Sequence, residues 1–309
     1  MAERLPEVTR VYRNHHLDSK RWDVFSPREG DIVVTTAYKA GTTWTQQILS
    51  CLIHPERSPA KASAISPWID AGFMGVSVEA LAAQLDALPS PRFVKSHLPL
   101  DGLPYSPDVR YLVVARDPRD VFMSLLNHWE NYGEPAYAAL GSALWGGDPF
   151  PRFVDAPREL FRDWISRGWF PWESEGYPFW ANLGHTQSYW EFRHLPNLLF
   201  LHYNDMLADL AGSVRRIADF CGLDASDEDV VRTVEATTFA NVKKVARAQT
   251  QAQDGGGFFK GGADAFFFKG TNGRWRGLLT EADLALYESA KARVLTADCA
   301  RWLEKGGPV

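Results

Sequence analysis

Four short runs along the chain are apolar or β-branched almost without a break: DIVVTT at 31–36, RFVK at 92–95, RYLVVA at 110–115 and NLLFLHY at 197–203. They lack the strict alternation of a half-wet strand, so they predict strands covered on both faces. After them the period lengthens to that of a helix. Trp44, Ile48 and Leu52 recur at i, i+4 and i+8 beyond Gly41, and Val121, Leu125 and Trp129 share a face beyond Asp117-Pro118. Asp suits an N-cap there and Pro the first helical position. Further helices are expected over 208–221 and 227–236, with one long terminal helix over 281–304. Strands alternating with helices predict the α/β class, as a single three-layer domain over 1–309 whose central parallel sheet is flanked by helices.

Residues 130–190 interrupt this rhythm with WENYGEP, GWFPWESEGYPFW and many glycines and prolines. They read as an aromatic-rich insertion, and the pattern leaves open whether it forms a lid over an apolar substrate or packs a satellite core. The stretch 254–277, glycine-rich at its start, reads as a loop bordering a ligand. No internal repeat marks a second domain.

At 309 residues the chain is long enough to bury a core without metals or disulfides, since a domain of this size removes about three quarters of its extended surface from water. Cys51, Cys221 and Cys299 are far apart and fall in no CxxC or Cys/His cluster, the usage expected of a cytoplasmic protein. The charged opening MAERLPEVTRVYRNHH predicts no signal peptide. No run approaches the roughly 18 apolar residues of a membrane span, so stable membrane insertion is not expected. A net charge of −5 argues against a nucleic-acid partner, which would need a basic face. An anionic ligand must then meet positive charge gathered locally.

In parallel sheets ligands bind beyond the carboxyl ends of the strands. That selects Tyr38-Lys39-Ala40-Gly41-Thr42-Thr43 after the first strand, Lys95-Ser96-His97 after the second and Arg116 after the third. A glycine turn feeding a helix N-terminus gathers unpaired backbone N–H groups and the positive end of the helix dipole, an anion site to which Thr42 and Thr43 add hydroxyls. The Walker pattern fails, because Thr36 stands where it needs Gly and Thr42 where it needs Lys. Lys39 precedes the glycine, so its ammonium can reach over the anion toward a leaving oxygen. Taken alone, an exposed lysine near a loop is the commoner reading.

KAGTTW at 39–44, KSHLPL at 95–100 and ARDPRDVFMS at 115–124 together resemble the cytosolic sulfotransferase family, whose loop runs close to YPKSGTTW and whose later segment is KTHLP. The resemblance runs from about residue 22 to 280, and RWD at 21–23, LPLDGL at 98–103 and RHLPNLLFLHYNDM at 193–206 extend it to bacterial members including glycolipid sulfotransferases. It implies 3′-phosphoadenosine 5′-phosphosulfate (PAPS) as donor, PAP as product, and no metal. Lys39, Ala40, Gly41, Thr42, Thr43 and Trp44 would hold the phosphosulfate end, Trp44 also facing adenine. Arg116 and Ser124 would hold the 3′-phosphate, and Tyr203, Thr237 and Phe239 would contact the nucleotide. His97 would be the general base and Lys39 and Lys95 the cations that stabilise transferred charge. The other histidines, at 15, 16, 54, 128, 185, 194 and 202, are read as structural.

The chain departs from the family at FFFKGTNGRWRG, 266–277. Lys269 and Gly270 match, but Phe268 stands where relatives place an arginine on the 3′-phosphate, and Lys260 or Arg274 is the candidate substitute. The short dimer motif of many animal members is absent, with Glu281 and Ala285 in its place, so the oligomeric state is left open. The function expected is transfer of a sulfuryl group to a hydroxyl, or an amine, of an aromatic or lipid-like small-molecule acceptor. A nucleotide-dependent kinase and a non-catalytic nucleotide-binding protein are the alternatives.

Overall fold

The computed structural model describes residues 4–56, 62–141, 148–250 and 257–309. Residues 142–147 of the aromatic segment and 254–256 of the glycine-rich stretch lie outside the described residues. Four parallel strands form one sheet in the order β2-β1-β3-β4, with β1 at Ile32–Thr36, β2 at Phe93–Ser96, β3 at Arg110–Ala115 and β4 at Leu198–His202. The apolar runs sit where both faces need apolar side chains. Val33, Val94, Tyr111, Val113, Leu198 and Phe200 point into one core, while Ile32, Val34, Phe93, Leu112, Val114 and Leu201 point into the other.

The smaller core is closed by the helix Thr42–Ile53, through Ile48 and Leu49, and by Leu210–Cys221, through Val214 and Ile217. The larger is closed by aromatic residues of the 130–190 segment and by the last two helices, which contribute Tyr287, Trp302 and Leu303. Phe161, Trp164, Phe179 and Trp180 are all within that main core. The helix after Asp117-Pro118 forms over Pro118–Glu130, and the Asp117 side chain accepts from the Arg119 N–H as the N-cap should.

The terminal helix is not continuous. It divides into Glu281–Val294 and Ala297–Lys305, with Leu295 and Thr296 extended between them. Tertiary tethers outweigh local propensity there: the Thr296 N–H donates to Gln187 Oε1 at 3.0 Å, and Asp298 Oδ2 accepts from Trp190 Nε1 at 3.0 Å. The helix expected to begin at 208 begins at Leu210 instead, because Asp209 caps it by accepting from the Gly212 N–H.

The amino edge of the sheet is fastened by one buried ion pair. Arg92, just before β2, meets Asp31, just before β1, with Nε to Oδ1 at 2.8 Å and Nη2 to Oδ2 at 2.9 Å, both side chains 1% exposed. The remaining guanidinium donors go to the Leu85 and Ser26 carbonyls. Arg92→Met would leave Asp31 in the interior without its ion partner, and we expect a loss of about 3–5 kcal/mol in chemical denaturation. Adding Asp31→Asn should return part of it; a single-variant loss under about 1 kcal/mol, the surface-pair range, would refute this role.

Candidate active site

Parallel pairing brings the strand ends to one edge. Thr35 pairs with Ser96 and with Val113, and Ala115 with His202. His97 therefore emerges beside Thr36, and Arg116 beside Tyr203. Above this edge lies a cavity of about 830 Å³. Of the residues singled out from sequence, Lys39, Gly41, Thr42, Thr43, Trp44, Lys95, His97, Arg116, Ser124, Tyr203, Thr237, Phe239, Phe268, Lys269 and Gly270 all line it. Ala40 is buried beneath the loop and does not.

The loop after β1 is shaped for close approach. Gly41 has φ 126°, and a Cβ there would meet Val114 at 3.3 Å and Tyr203 at 3.4 Å, so only glycine fits without displacing a neighbour. Gly41 precedes the helix without a side-chain cap, leaving the first-turn N–H groups for a ligand. Lys39 is held at φ 63°, a conformation uncommon for a residue with a side chain. Its ammonium stands 3.2 Å from His128 Nδ1 and 4.7 Å from the centre of the Phe266 ring. Burial, then the nearby charges of Lys95 and Arg116, push the Lys39 pKa down to about 7.

Lys95 lies 4.0 Å over the Trp68 ring, and burial pushes its pKa down to about 8 against the opposing pull of Asp70. His97 is buried, with Nδ1 2.8 Å from the Thr36 carbonyl. That carbonyl can only accept, so the proton sits on Nδ1 and the Nε2 lone pair is left available. Burial, followed by the charge of Lys95, holds the imidazolium well below its ordinary pKa, so His97 is neutral at pH 7. Thr36 Oγ1 lies 3.1 Å from the same nitrogen and 2.5 Å from Thr42 Oγ1, tying the imidazole to the start of the helix.

On the opposite side, the Arg116 guanidinium lies 4.2 Å over the Tyr203 ring and donates to Asn272 Oδ1 and, at 3.2 Å, to the Thr271 carbonyl. Trp44 packs on Tyr203 with ring centres 5.4 Å apart and donates from Nε1 to the Thr237 carbonyl at 2.9 Å. Of the two candidate substitutes for the missing arginine, Arg274 lines the cavity and feels the charge of Arg116, whereas Lys260 is exposed and outside the lining. Five cations, Lys39, Lys95, Arg116, Lys269 and Arg274, face this space, and no carboxylate among the described residues lines it. Neither is there any group of three His, Cys, Asp or Glu side chains able to hold a metal among the described residues.

Several site residues were not visible to sequence reasoning. Asp70 accepts from the His97 N–H at 3.0 Å, from Trp68 Nε1 at 2.7 Å and from Trp22 Nε1 at 3.1 Å, and so anchors the segment that carries His97. It sits in no motif. His128, read as structural, lines the cavity and contacts Lys39; its place one turn beyond Ser124 on the same helix face was the available signal. The far walls are aromatic, made by Trp68, Phe73, Phe258, Phe259, Phe266 and Phe267.

The sequence matches the family described as "Sulfotransferase domain" over residues 29–295. A glycolipid sulfotransferase of Mycobacterium bovis (strain BCG / Pasteur 1173P2) is 32% identical over 317 aligned positions, covering 96% of this chain and 94% of the relative. The crystal structure of mouse sulfotransferase SULT7A1 complexed with PAP shares the fold, with a TM-score of 0.68 at 20% identity over 92% of each chain. That of retinol dehydratase in complex with androsterone and inactive cofactor PAP has a TM-score of 0.65 at 25% identity, over 90% of this chain and 84% of the other. By family match and by a relative of that identity spanning nearly its whole length, this chain belongs to the sulfotransferase family.

Proposed function

We propose that the protein moves a sulfuryl group from PAPS to a hydroxyl of an aromatic or lipid-like acceptor, with His97 as general base and Lys39 and Lys95 as the stabilising cations. The carrying observation is that these three side chains face one cavity whose described lining has five cations and no carboxylate. Such a space is built for a polyanion, and PAP is the nucleotide in both solved neighbours. The residues present fit it: an uncapped helix start with an obligatory glycine receives the phosphosulfate end, and Trp44, Tyr203 and Phe239 offer aromatic faces to the base.

The acceptor oxygen attacks sulfur in line with the bond to the bridging oxygen, which breaks as the new one forms. His97 Nε2 takes the acceptor's proton, its lone pair free because Nδ1–H is committed to Thr36. Lys39 meets the negative charge that appears on the departing phosphate oxygen, and Lys95 the charge on the transferred group. At the other end Arg116, Ser124 and Arg274 hold the 3′-phosphate, Arg274 taking over from the arginine that Phe268 replaces. The aromatic walls, and a relative named a glycolipid sulfotransferase, support a largely apolar acceptor.

His97→Ala should reduce transfer by about 10²–10⁴, and Lys39→Met by about 10²–10³, both at unchanged folding. PAP without magnesium should raise the Tm of the wild type; stabilisation by ATP with magnesium and not by PAP would overturn the reading in favour of a kinase.

Donor capture should depend on pH in one direction. Lys39 and Lys95 are charged below about 7 and about 8 and lose their protons as pH rises through those values, while His97 stays neutral throughout. The kcat/KM for PAPS is therefore expected to hold from pH 6 to 7 and fall above it, and a profile flat to pH 9 would contradict the assignment.

Arg274→Ala should raise the KM for PAPS by about 10–100-fold, the worth of one charge-assisted hydrogen bond. The same variant should leave adenosine 5′-phosphosulfate, which lacks the 3′-phosphate, unaffected. Equal losses with both donors would remove Arg274 from that role.

A further inference from the structure

Among the described residues, His128 is the histidine read as structural that lines the cavity. His128 occupies the inner face of the helix Pro118–Glu130, one turn beyond Ser124, and is buried. Its Nδ1 is 3.2 Å from Lys39 Nζ and its Nε2 is 2.7 Å from the Tyr38 hydroxyl, which lies 3.4 Å from the Tyr132 hydroxyl. Aromatic rings confine the pair. Phe259 and Phe266 lie 4.6 and 5.8 Å from the imidazole, and Phe266 also lies beneath the Lys39 ammonium.

We infer that His128 is the positioning residue for Lys39, its Nδ1 accepting the ammonium's hydrogen bond and so setting where that cation stands over the anion site. The direction of each bond follows from chemistry. An ammonium only donates, so His128 Nδ1 accepts; a neutral imidazole then carries its proton on Nε2, which donates to the Tyr38 oxygen. The inference rests on the proposed role of Lys39.

The electrostatic setting gives this contact its weight. Lys39 faces Lys95 within β2 and Arg116 after β3, both cationic, with His97 and His128 neutral beside it. His128 in turn feels Lys39, Lys95, His97 and His16. None of these groups is a carboxylate, so the imidazole lone pair is the partner that favours the charged lysine. Without it, burial and the two like charges would act unopposed and Lys39 would discharge at lower pH.

The test uses the full chain, with PAP as the probe, so that no acceptor is required. PAP affinity is measured by calorimetry from pH 5.5 to 9 for wild type, His128→Phe, His128→Gln, Tyr38→Phe and Lys39→Met. Wild-type affinity should weaken above about pH 7. In His128→Phe the break should move down by about one pH unit, a tenfold change in the lysine's ionisation constant. His128→Gln, whose amide oxygen can still accept, should stay near wild type. Tyr38→Phe removes the acceptor that commits the proton to Nε2, and should shift the break the same way by less.

An unmoved break in His128→Phe, or equal shifts in the Phe and Gln variants, would overturn the inference. Should His128→Phe fail to fold, an unmoved break in Tyr38→Phe overturns it instead. Lys39→Met should lack this break altogether; if it keeps the break, the assignment of Lys39 to the anion fails, and not merely the role of His128.

Discussion

Parallel pairing is the constraint from which the site follows. All four strands run one way, so every strand delivers its next residue to the same edge, and the register decides which of those residues become neighbours. Ser96 opposite Thr35 sets His97 beside the Thr36 carbonyl, and Ala115 opposite His202 sets Arg116 against the Tyr203 ring. A slip of one position on β2 would turn its side chains to the opposite face and take His97 away from Thr36. The apolar runs guard against this, since each face of the sheet has its own core to satisfy.

The second determinant is charge kept out of water. Five cations are gathered round one space in a protein whose net charge is negative, and the carboxylates near them, Asp70 and Asp120, are buried behind the lining rather than in it. Burial lowers the proton affinity of Lys39, Lys95, Arg116 and Arg274 alike, and repulsion from neighbouring cations adds to it at Lys39 and Arg274. The folded protein thus carries an electrostatic cost that a polyanion bound in this cavity would relieve. Burial, reinforced by the charge of Lys95, keeps His97 neutral, the state that its proposed role as a base requires.

The strands and the anion loop were legible because their signals are local. An uninterrupted run such as IVVTT has few other homes than a doubly covered strand, and a glycine between strand and helix announces the loop that follows. Asp70 was not legible, because its significance lies in three donors that come from residues 22, 68 and 97. Nor was the break at Leu295 and Thr296, which is imposed by Gln187 from more than a hundred positions away. His128 falls between these cases: helical spacing from Ser124 put it on the correct face, but its value depends on a lysine carried by another loop. Arg274 could be named as one of two substitutes for the missing arginine, and only the folding of the segment after Phe268 distinguishes it from Lys260.

The ion pair of Asp31 and Arg92 stands at the rim of the sheet opposite the cavity. The buried ion pair and the cavity are thereby carried by different ends of the same four strands. An aromatic wall residue such as Phe267, which belongs to neither core, can be exchanged for another with little bearing on what keeps the strands together, since distant sites contribute to stability almost independently. A scaffold divided in this way can drift from one acceptor to another through steps that each remain foldable.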